Sequence, residues 1–242
     1  MSQQPVNVIC MKWGTKYPAL YVNTLYAMVQ RHLSIPHRFV CLTDDRSGIR
    51  PEVECFDLPT IEVPEAYDYS PWRKLGMFSS ALGDLQGKAL FLDLDIVIMQ
   101  SIDAFFSYSD KFSIIENWTQ MGRGIGNSSV YCFTIGAHVD VLDYYHGHMQ
   151  EVLTTYSNEQ IYLSKKIGDI AFWPESWCKS YKRHCIPKGL LSRYLVPPMP
   201  PKDVKIVVFH GRPHPDDAIE GGFYGSFYKY ARAAPWVGEN WK

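Results

Sequence analysis

The chain has 242 residues, 46% of them hydrophobic and 20% charged, enough to bury a sizeable core in one compact domain. Its 24 basic and 25 acidic residues leave a net charge of −1, so no global positive field draws nucleic acid or an anionic membrane. No run of eighteen apolar residues occurs, and nothing reads as a transmembrane segment.

In chain order, the apolar run Val6–Met11 reads as a buried strand, followed by a loop punctuated by Gly14 and Pro18. Leu20, Tyr21, Leu25, Met28, Val29 and Leu33 then follow helical spacing between Tyr17 and Leu33. His37–Leu42 is a second strand ending at Thr43-Asp44-Asp45, and Val53–Leu58 a third. Leu75, Phe78, Leu82 and Leu85 recur at steps of three and four, which predicts an amphipathic helix over Trp72–Leu85. Gly87 ends it, and Lys88–Leu92 is an apolar strand that delivers Asp93.

Farther on, Lys111–Glu116, Ser129–Ile135 and Val204–Phe209 read as strands, and Val139–Leu153 and Glu159–Lys166 as helices. The proline-rich stretch Pro187–Pro201 has no period and is expected to be an ordered loop. Strands alternating with helices predict an α/β layer with a largely parallel sheet, whose ligand sits at the carboxyl ends of the strands. Three polar clusters fall at such ends: Lys12-Trp13-Gly14, Thr43-Asp44-Asp45 and Asp93-Leu94-Asp95.

The six cysteines form no CxxC pair, and Cys10, Cys41 and Cys132 sit within strand-like runs as small hydrophobes. Cys178, His184 and Cys185 make only a faint zinc-like grouping, with no second half. The start, Met1 to Val6, lacks a basic-then-apolar signal pattern. A reduced, cytoplasmic protein is expected.

Asp93 and Asp95 stand in a run, KALFLDLDIVIMQ, that is otherwise apolar on both sides. Charges in such a setting are normally paired or bind a cation. At i and i+2 on extended chain the two side chains leave on one face and can converge. Hard oxygen ligands beside a phosphate ester suit Mg²⁺ or Mn²⁺.

The stretch FLDLDIVIMQSIDAFF resembles the DxD region of GT-A-fold glycosyltransferases, especially the glycogenin and bacterial galactosyltransferase group (family 8-like). The resemblance extends to Gly126-Asn127-Ser128-Ser129-Val130, to Asn158-Glu159-Gln160, and to Val208-Phe209-His210-Gly211-Arg212-Pro213-His214-Pro215. It implies an α/β, GT-A-like single domain over residues 1–242, with a Rossmann-like, mostly parallel central sheet flanked by helices. The nucleotide-binding part would span about 1–100, and the acceptor and metal-completing part about 101–242. Asp93, Asp95 and His210 would be the ligands of Mn²⁺ (or Mg²⁺), bridging the diphosphate of a nucleotide-sugar donor, expected to be a UDP-sugar. Asp93 would also lie near the donor ribose, and Lys74 rather than Arg73 would face the donor. Three departures stand out: Ser129 replaces a glycine, Glu159 an aspartate, and His214 a lysine. Diphosphate contacts would then rest on Arg212 and His214.

Trp13 and Tyr17 occupy the family's place for base-stacking or ribose contacts, and Asp44 or Asp45 could accept from the uracil N–H, although Asx turns are the ordinary use of such residues. Glu159 and Gln160 are the candidates nearest the reacting carbon. In a retaining, hexosyltransferase-type reaction, as in the group it resembles, Gln160 or Glu159 would stabilise an oxocarbenium-like state; in an inverting one, Glu159 would be the base. The acceptor would be a glycan, a lipid-linked or another hydroxyl compound. Gly221–Gly225 reads as a lid, an acceptor loop or a turn.

Two other functions fit parts of the pattern. A nucleotidyltransferase needs a glycine-rich basic loop after the first strand, and Met11–Lys16 has one glycine. A catalytically silent nucleotide-sugar-binding protein would keep the fold without turnover; the intact Asp93, Asp95 and His210 argue against it.

Overall fold

The computed structural model describes residues 4–225 and 229–242; residues 1–3 of the Met1–Val6 start, and 226–228, lie outside the described part. In chain order the elements are β1 (Val6–Lys12), α1 (Ala19–His32), β2 (His37–Thr43), β3 (Glu54–Phe56), β4 (Lys88–Leu92), β5 (Ile96–Ile98), α2 (Ala104–Ser107), β6 (Phe112–Glu116) and β7 (Gly126–Thr134). There follow α3 (Val139–Gly147), α4 (Met149–Thr155), α5 (Glu159–Ile167), β8 (Ile170–Phe172), β9 (Cys178–Ser180), α6 (Leu190–Leu195), β10 (Ile206–Val208), α7 (Pro215–Glu220), β11 (Gly222–Phe223), β12 (Tyr230–Ala231) and α8 (Pro235–Asn240). No helix among the described residues is long and apolar enough to cross a membrane.

Contacts divide the chain into two compact units. The first comprises the described residues 4–22, 35–93 and 104–173 and is built on one seven-stranded sheet, ordered β3-β2-β1-β4-β7-β6-β8. Four of its six pairings are parallel, while β7 runs antiparallel to both β4 and β6, which makes the sheet mostly parallel as expected. Strand residues two apart share a face, so Ile9 and Met11, Val40 and Leu42, Ala89 and Phe91, and Tyr131 and Phe133 line one core with Trp72, Leu75, Phe78, Tyr145 and Tyr162. The intervening Val8, Cys10, Cys41, Leu90, Leu92 and Cys132 are buried as well. Burial on both faces explains why these strands read as continuous apolar runs. Each large side chain so enclosed contributes about 1.5–3 kcal/mol.

The second unit, residues 23–34, 94–103 and 174–242, contains the three-stranded sheet β5-β10-β9 and the β11–β12 hairpin. In it Ile96, Ile98, Ile206, Val208 and Phe209, and Leu25 and Met28 of α1, are all almost fully buried. Tyr181 stacks on Phe209 at 4.4 Å between ring centroids.

Several expectations need correction. Instead of an α-helix over Trp72–Leu85, the chain forms a 3₁₀ helix at Pro71–Phe78 and is irregular beyond it. Trp72, Leu75 and Phe78 lie three apart, the repeat of a 3₁₀ helix. Gly76 packs so tightly on Pro59 that an added Cβ would stand 2.9 Å from it, and Gly83 takes a left-handed φ of +58°. Val139–Leu153 is two helices, α3 and α4, parted at His148, whose φ −136° and ψ 29° are not helical. The stretch Pro187–Pro201 contains α6 rather than loop alone. Leu20, assigned to the apolar face of α1, is exposed.

Candidate active site

The parallel register pairs Lys12 with Thr43, so β1 and β2 end level with each other. Lys12 is buried, and its ammonium reaches the Asp45 carbonyl at 3.3 Å and carboxylate at 3.7 Å. Asp45 also accepts from the Ser47 N–H at 2.9 Å, closing an Asx turn, and that bond chiefly lowers its pKa. The Asp44 carboxylate accepts from the Gly14 N–H at 2.9 Å and ties down the loop after β1. Gly14 has a φ of +59°, and a Cβ there would meet the Tyr69 ring at 2.5 Å, so glycine is required on both counts. Both acids therefore have a role in shaping this edge. Trp13 packs against the core of the first unit, and Tyr17 lies 4.9 Å from Tyr21 with the Lys16 ammonium 4.7 Å from its ring.

At the end of β4, the Asp93 N–H donates to the Ser129 carbonyl at 2.8 Å. Its carboxylate is held by the buried Lys74 ammonium at 2.5 Å, which also donates to the Ser128 carbonyl at 3.4 Å. Lys74 thus faces an acid of the DxD pair, while Arg73 turns to Asp68 at 2.8 Å. The Ser128 hydroxyl donates to the Glu159 carboxylate at 2.6 Å, and the Gln160 amide oxygen lies 3.4 Å from both the Ser128 N–H and the Asn127 amide nitrogen. Asn158 caps α5 by accepting from the Ile161 N–H at 3.1 Å, so Glu159 and Gln160 stand in its first turn. Lys74, Asp93, Ser128, Glu159 and Gln160 form one connected cluster. Burial, followed by the charges of Asp93 and Glu159, pushes the Tyr131 phenol pKa well up.

The second unit assembles the other candidates. Antiparallel pairing of Ile96 with Val208, extended by a Phe209 N–H bond of 3.0 Å to the Asp95 carbonyl, brings Asp95 and His210 to one end of the β5–β10 pair. Asp95 is buried, with a carboxylate oxygen 3.8 Å from His214 Nδ1. His210 Nε2 lies 2.7 Å from the Ser180 hydroxyl, on a strand parallel to β10. Burial, with Lys182 and Arg183 adding to it, lowers the His210 pKa to about 4, so the ring is neutral near pH 7. Lys182 donates to the His210 carbonyl, and a Cβ at Gly211 would stand 3.4 Å from its ammonium. His214 caps α7, its N–H donating to the Asp217 carboxylate at 2.9 Å. Arg212 is exposed, 3.8 Å from the same carboxylate.

Sequence reasoning missed Ser128, Ser180 and Lys182. Ser128 was inside a quoted motif, but Ser180 and Lys182 fall in a stretch read for Cys178, His184 and Cys185. Burial raises the Cys178 thiol pKa and lifts that of Cys185 to about 12, which disfavours the thiolates a zinc site needs. Among the described residues, no group of three or more His, Cys, Asp and Glu side chains is gathered as a metal centre. Asp93 and Asp95 instead face Lys74 and His214 respectively.

No protein-family model matches the chain, and no curated protein matches it in sequence. Solved structures match it in fold. The galactosyltransferase LgtC, determined with donor and acceptor sugar analogs, superposes with a TM-score of 0.59 at 12% identity, over 87% of this chain and 89% of LgtC. The chain has the GT-A glycosyltransferase fold. The glycosyltransferase GlyE of Streptococcus pneumoniae TIGR4 is similar with a TM-score of 0.56 at 14% identity, covering 88% of this chain and 56% of GlyE. The bifunctional glycosyltransferase WbbM gives 0.57 at 13% identity, over 87% of this chain and 46% of WbbM. At such identities the likeness establishes architecture, and the chemistry has to be argued from the residues.

Proposed function

We propose that the chain is a metal-dependent glycosyltransferase, moving a hexosyl group from a nucleotide-sugar, a UDP-sugar in the first instance, to an acceptor hydroxyl. The observation that carries this reading is the cluster at the carboxyl end of β4, where Asp93, Lys74, Ser128, Glu159 and Gln160 interlock on a GT-A fold. Charged and amide groups concentrated at that edge suit a ligand-binding role in open α/β sheets.

Although Asp93, Asp95 and His210 are not gathered as a metal centre among the described residues, their chemistry suits a hard divalent ion. Two aspartate oxygens and an imidazole kept neutral by burial match Mn²⁺ or Mg²⁺, so Asp93, Asp95 and His210 would hold it. Such an ion, when bound, supplies Lewis-acid stabilisation of the leaving diphosphate. Lys182, against His210 and Gly211, supplies the cation that His214 replaces in the motif, with Arg212 and His214 as further diphosphate contacts. Trp13 and Tyr17 would contact the base or ribose, and Asp44 or Asp45 the uracil edge. Glu159 is oriented by Ser128, and Gln160 by the start of β7. For retention, Gln160 or Glu159 stabilises positive charge at the anomeric carbon; for inversion, Glu159 takes the acceptor proton.

Calorimetric titration of UDP with and without Mn²⁺, followed by metal-dependent hydrolysis across a panel of UDP- and GDP-sugars, tests this reading. Asp95→Ala should abolish both responses, and His210→Ala should weaken Mn²⁺ binding far more than His214→Ala. Unchanged wild-type turnover in excess EDTA would exclude the metal-dependent mechanism.

A further inference from the structure

The 27 residues from Ser176 to Lys202 carry six lysines and arginines and no Asp or Glu, within a chain whose net charge is −1. In the middle of this basic stretch the apolar side chains turn outward. Of the twelve exposed large hydrophobics among the described residues, six lie between 190 and 199, and Leu191, Leu195 and Met199 are each 60% exposed or more. Phe223, also exposed, joins them through Tyr194, whose ring is 6.4 Å away and stacks on Tyr230 at 4.4 Å.

This outward face is anchored. Arg232 donates to the Leu195 carbonyl at 2.8 Å, Trp236 Nε1 to the Pro198 carbonyl at 2.9 Å, and the Met199 N–H to the Cys185 carbonyl at 3.1 Å. The backbone is held down while the large side chains stay in solvent. Contiguous exposed apolar groups set among charges mark an interaction surface. A second copy of the chain is a poor occupant, because self-association through this face would set one cationic stretch against another. A six-residue helix, about 9 Å long, cannot span a bilayer but can lie on one.

We propose that α6 and the segment to Met199, with Phe223, dock onto an anionic lipid bilayer. Leu191, Leu195 and Met199 enter the boundary between headgroups and acyl chains, tyrosine rings sit at headgroup level, and Lys188 and Lys202 meet lipid phosphates. The inference stands independently of sugar transfer, because the test vesicles contain neither donor nor acceptor.

Co-sedimentation of the full chain with phosphatidylcholine vesicles, with or without about one-third phosphatidylserine, tests it. Binding should favour the anionic vesicles and fall with added salt. Leu191→Gln combined with Leu195→Gln should lower the partition coefficient roughly tenfold or more, and Lys188→Gln combined with Lys202→Gln about tenfold. All four side chains are exposed, so the variants should melt like wild type. The proposal is overturned by pelleting no greater than in vesicle-free controls, by equal binding to neutral vesicles, or by full binding of the Leu191/Leu195 variant. A dimer in sedimentation velocity that this variant abolishes, without vesicle binding, would assign the face to a second copy and likewise overturn it.

Discussion

Removing the Lys74 ammonium should reveal what Asp93 is for. The pair is close, 2.5 Å, and largely sheltered, with side chains 9% and 19% exposed. Lys74→Met keeps much of the aliphatic packing but leaves the carboxylate without its cation. Breaking a buried pair in this way costs about 3–5 kcal/mol; Asp93 retains some solvent contact, so about 3 kcal/mol is expected. At about 2–4 °C per kcal/mol for a chain of this size, the melting temperature should fall by about 6–12 °C in EDTA. If Asp93 ligates a divalent ion, Mn²⁺ at about a hundred times its dissociation constant should return about 2.7 kcal/mol, most of the loss. Lys74→Met/Asp93→Asn should also be more stable than Lys74→Met alone in EDTA and gain little from Mn²⁺. Differential scanning fluorimetry, checked by urea unfolding, reads all three. A Lys74→Met protein as stable as wild type would refute the buried-pair argument, and one that Mn²⁺ leaves unrescued would refute ligation by Asp93.

Three other outcomes follow from the geometry. Glu159→Gln should cut turnover by roughly 10²–10⁴ with donor affinity little changed if Glu159 is the base, whereas Gln160→Ala should be the more damaging change in a retaining reaction; near-normal turnover in both would remove α5 from the chemistry. The His210 pKa falls from 6.5 to about 4 on folding, so below 6.5 the unfolded chain takes up a proton that the metal-free native protein refuses. The stability of wild type relative to His210→Gln should therefore be flat above pH 6.5, fall by about 2–3 kcal/mol down to about pH 4, and level off below it. His32, His138 and His184, whose pKa values are also lowered, act alike in both proteins; a difference that does not change with pH would refute the His210 assignment. Gly14→Ala should cost about 1–3 kcal/mol through its left-handed backbone, and adding Tyr69→Ala should relieve only the contact with the ring.

How much of this was legible in the sequence depended on which neighbours decide each element. The bounds of Lys88–Leu92 were read correctly because a strand buried on both faces is specified by its own residues. The helix starting at Glu159 was equally plain, since Asn158 is its cap and Lys165 and Lys166 close its last turn. The Trp72–Leu85 reading failed because an apolar step of three serves a 3₁₀ helix as well, and the close approach of Gly76 to Pro59 is a tertiary fact. Among the site residues, the motif pointed to Glu159 and Gln160 but not to their partner Ser128, because nothing in the sequence says which hydroxyl will face a carboxylate. Lys182 was passed over for the same reason, being 28 residues from His210 in the chain. Net charge averages over the chain: a value of −1 coexists with a stretch from Ser176 to Lys202 that carries six basic and no acidic residues.

The two aspartates that dominate the sequence pattern are neutralised in different ways. Asp93 faces the Lys74 ammonium, whereas Asp95 faces His214, which offers a positive charge only when protonated, and also lies in the field of Lys182. Carboxylates this sheltered need a cation from some source, and here each draws on its own compact unit of the fold. His214 therefore gives Asp95 a partner whose charge depends on pH, beside the Lys182 ammonium that already acts on the same carboxylate.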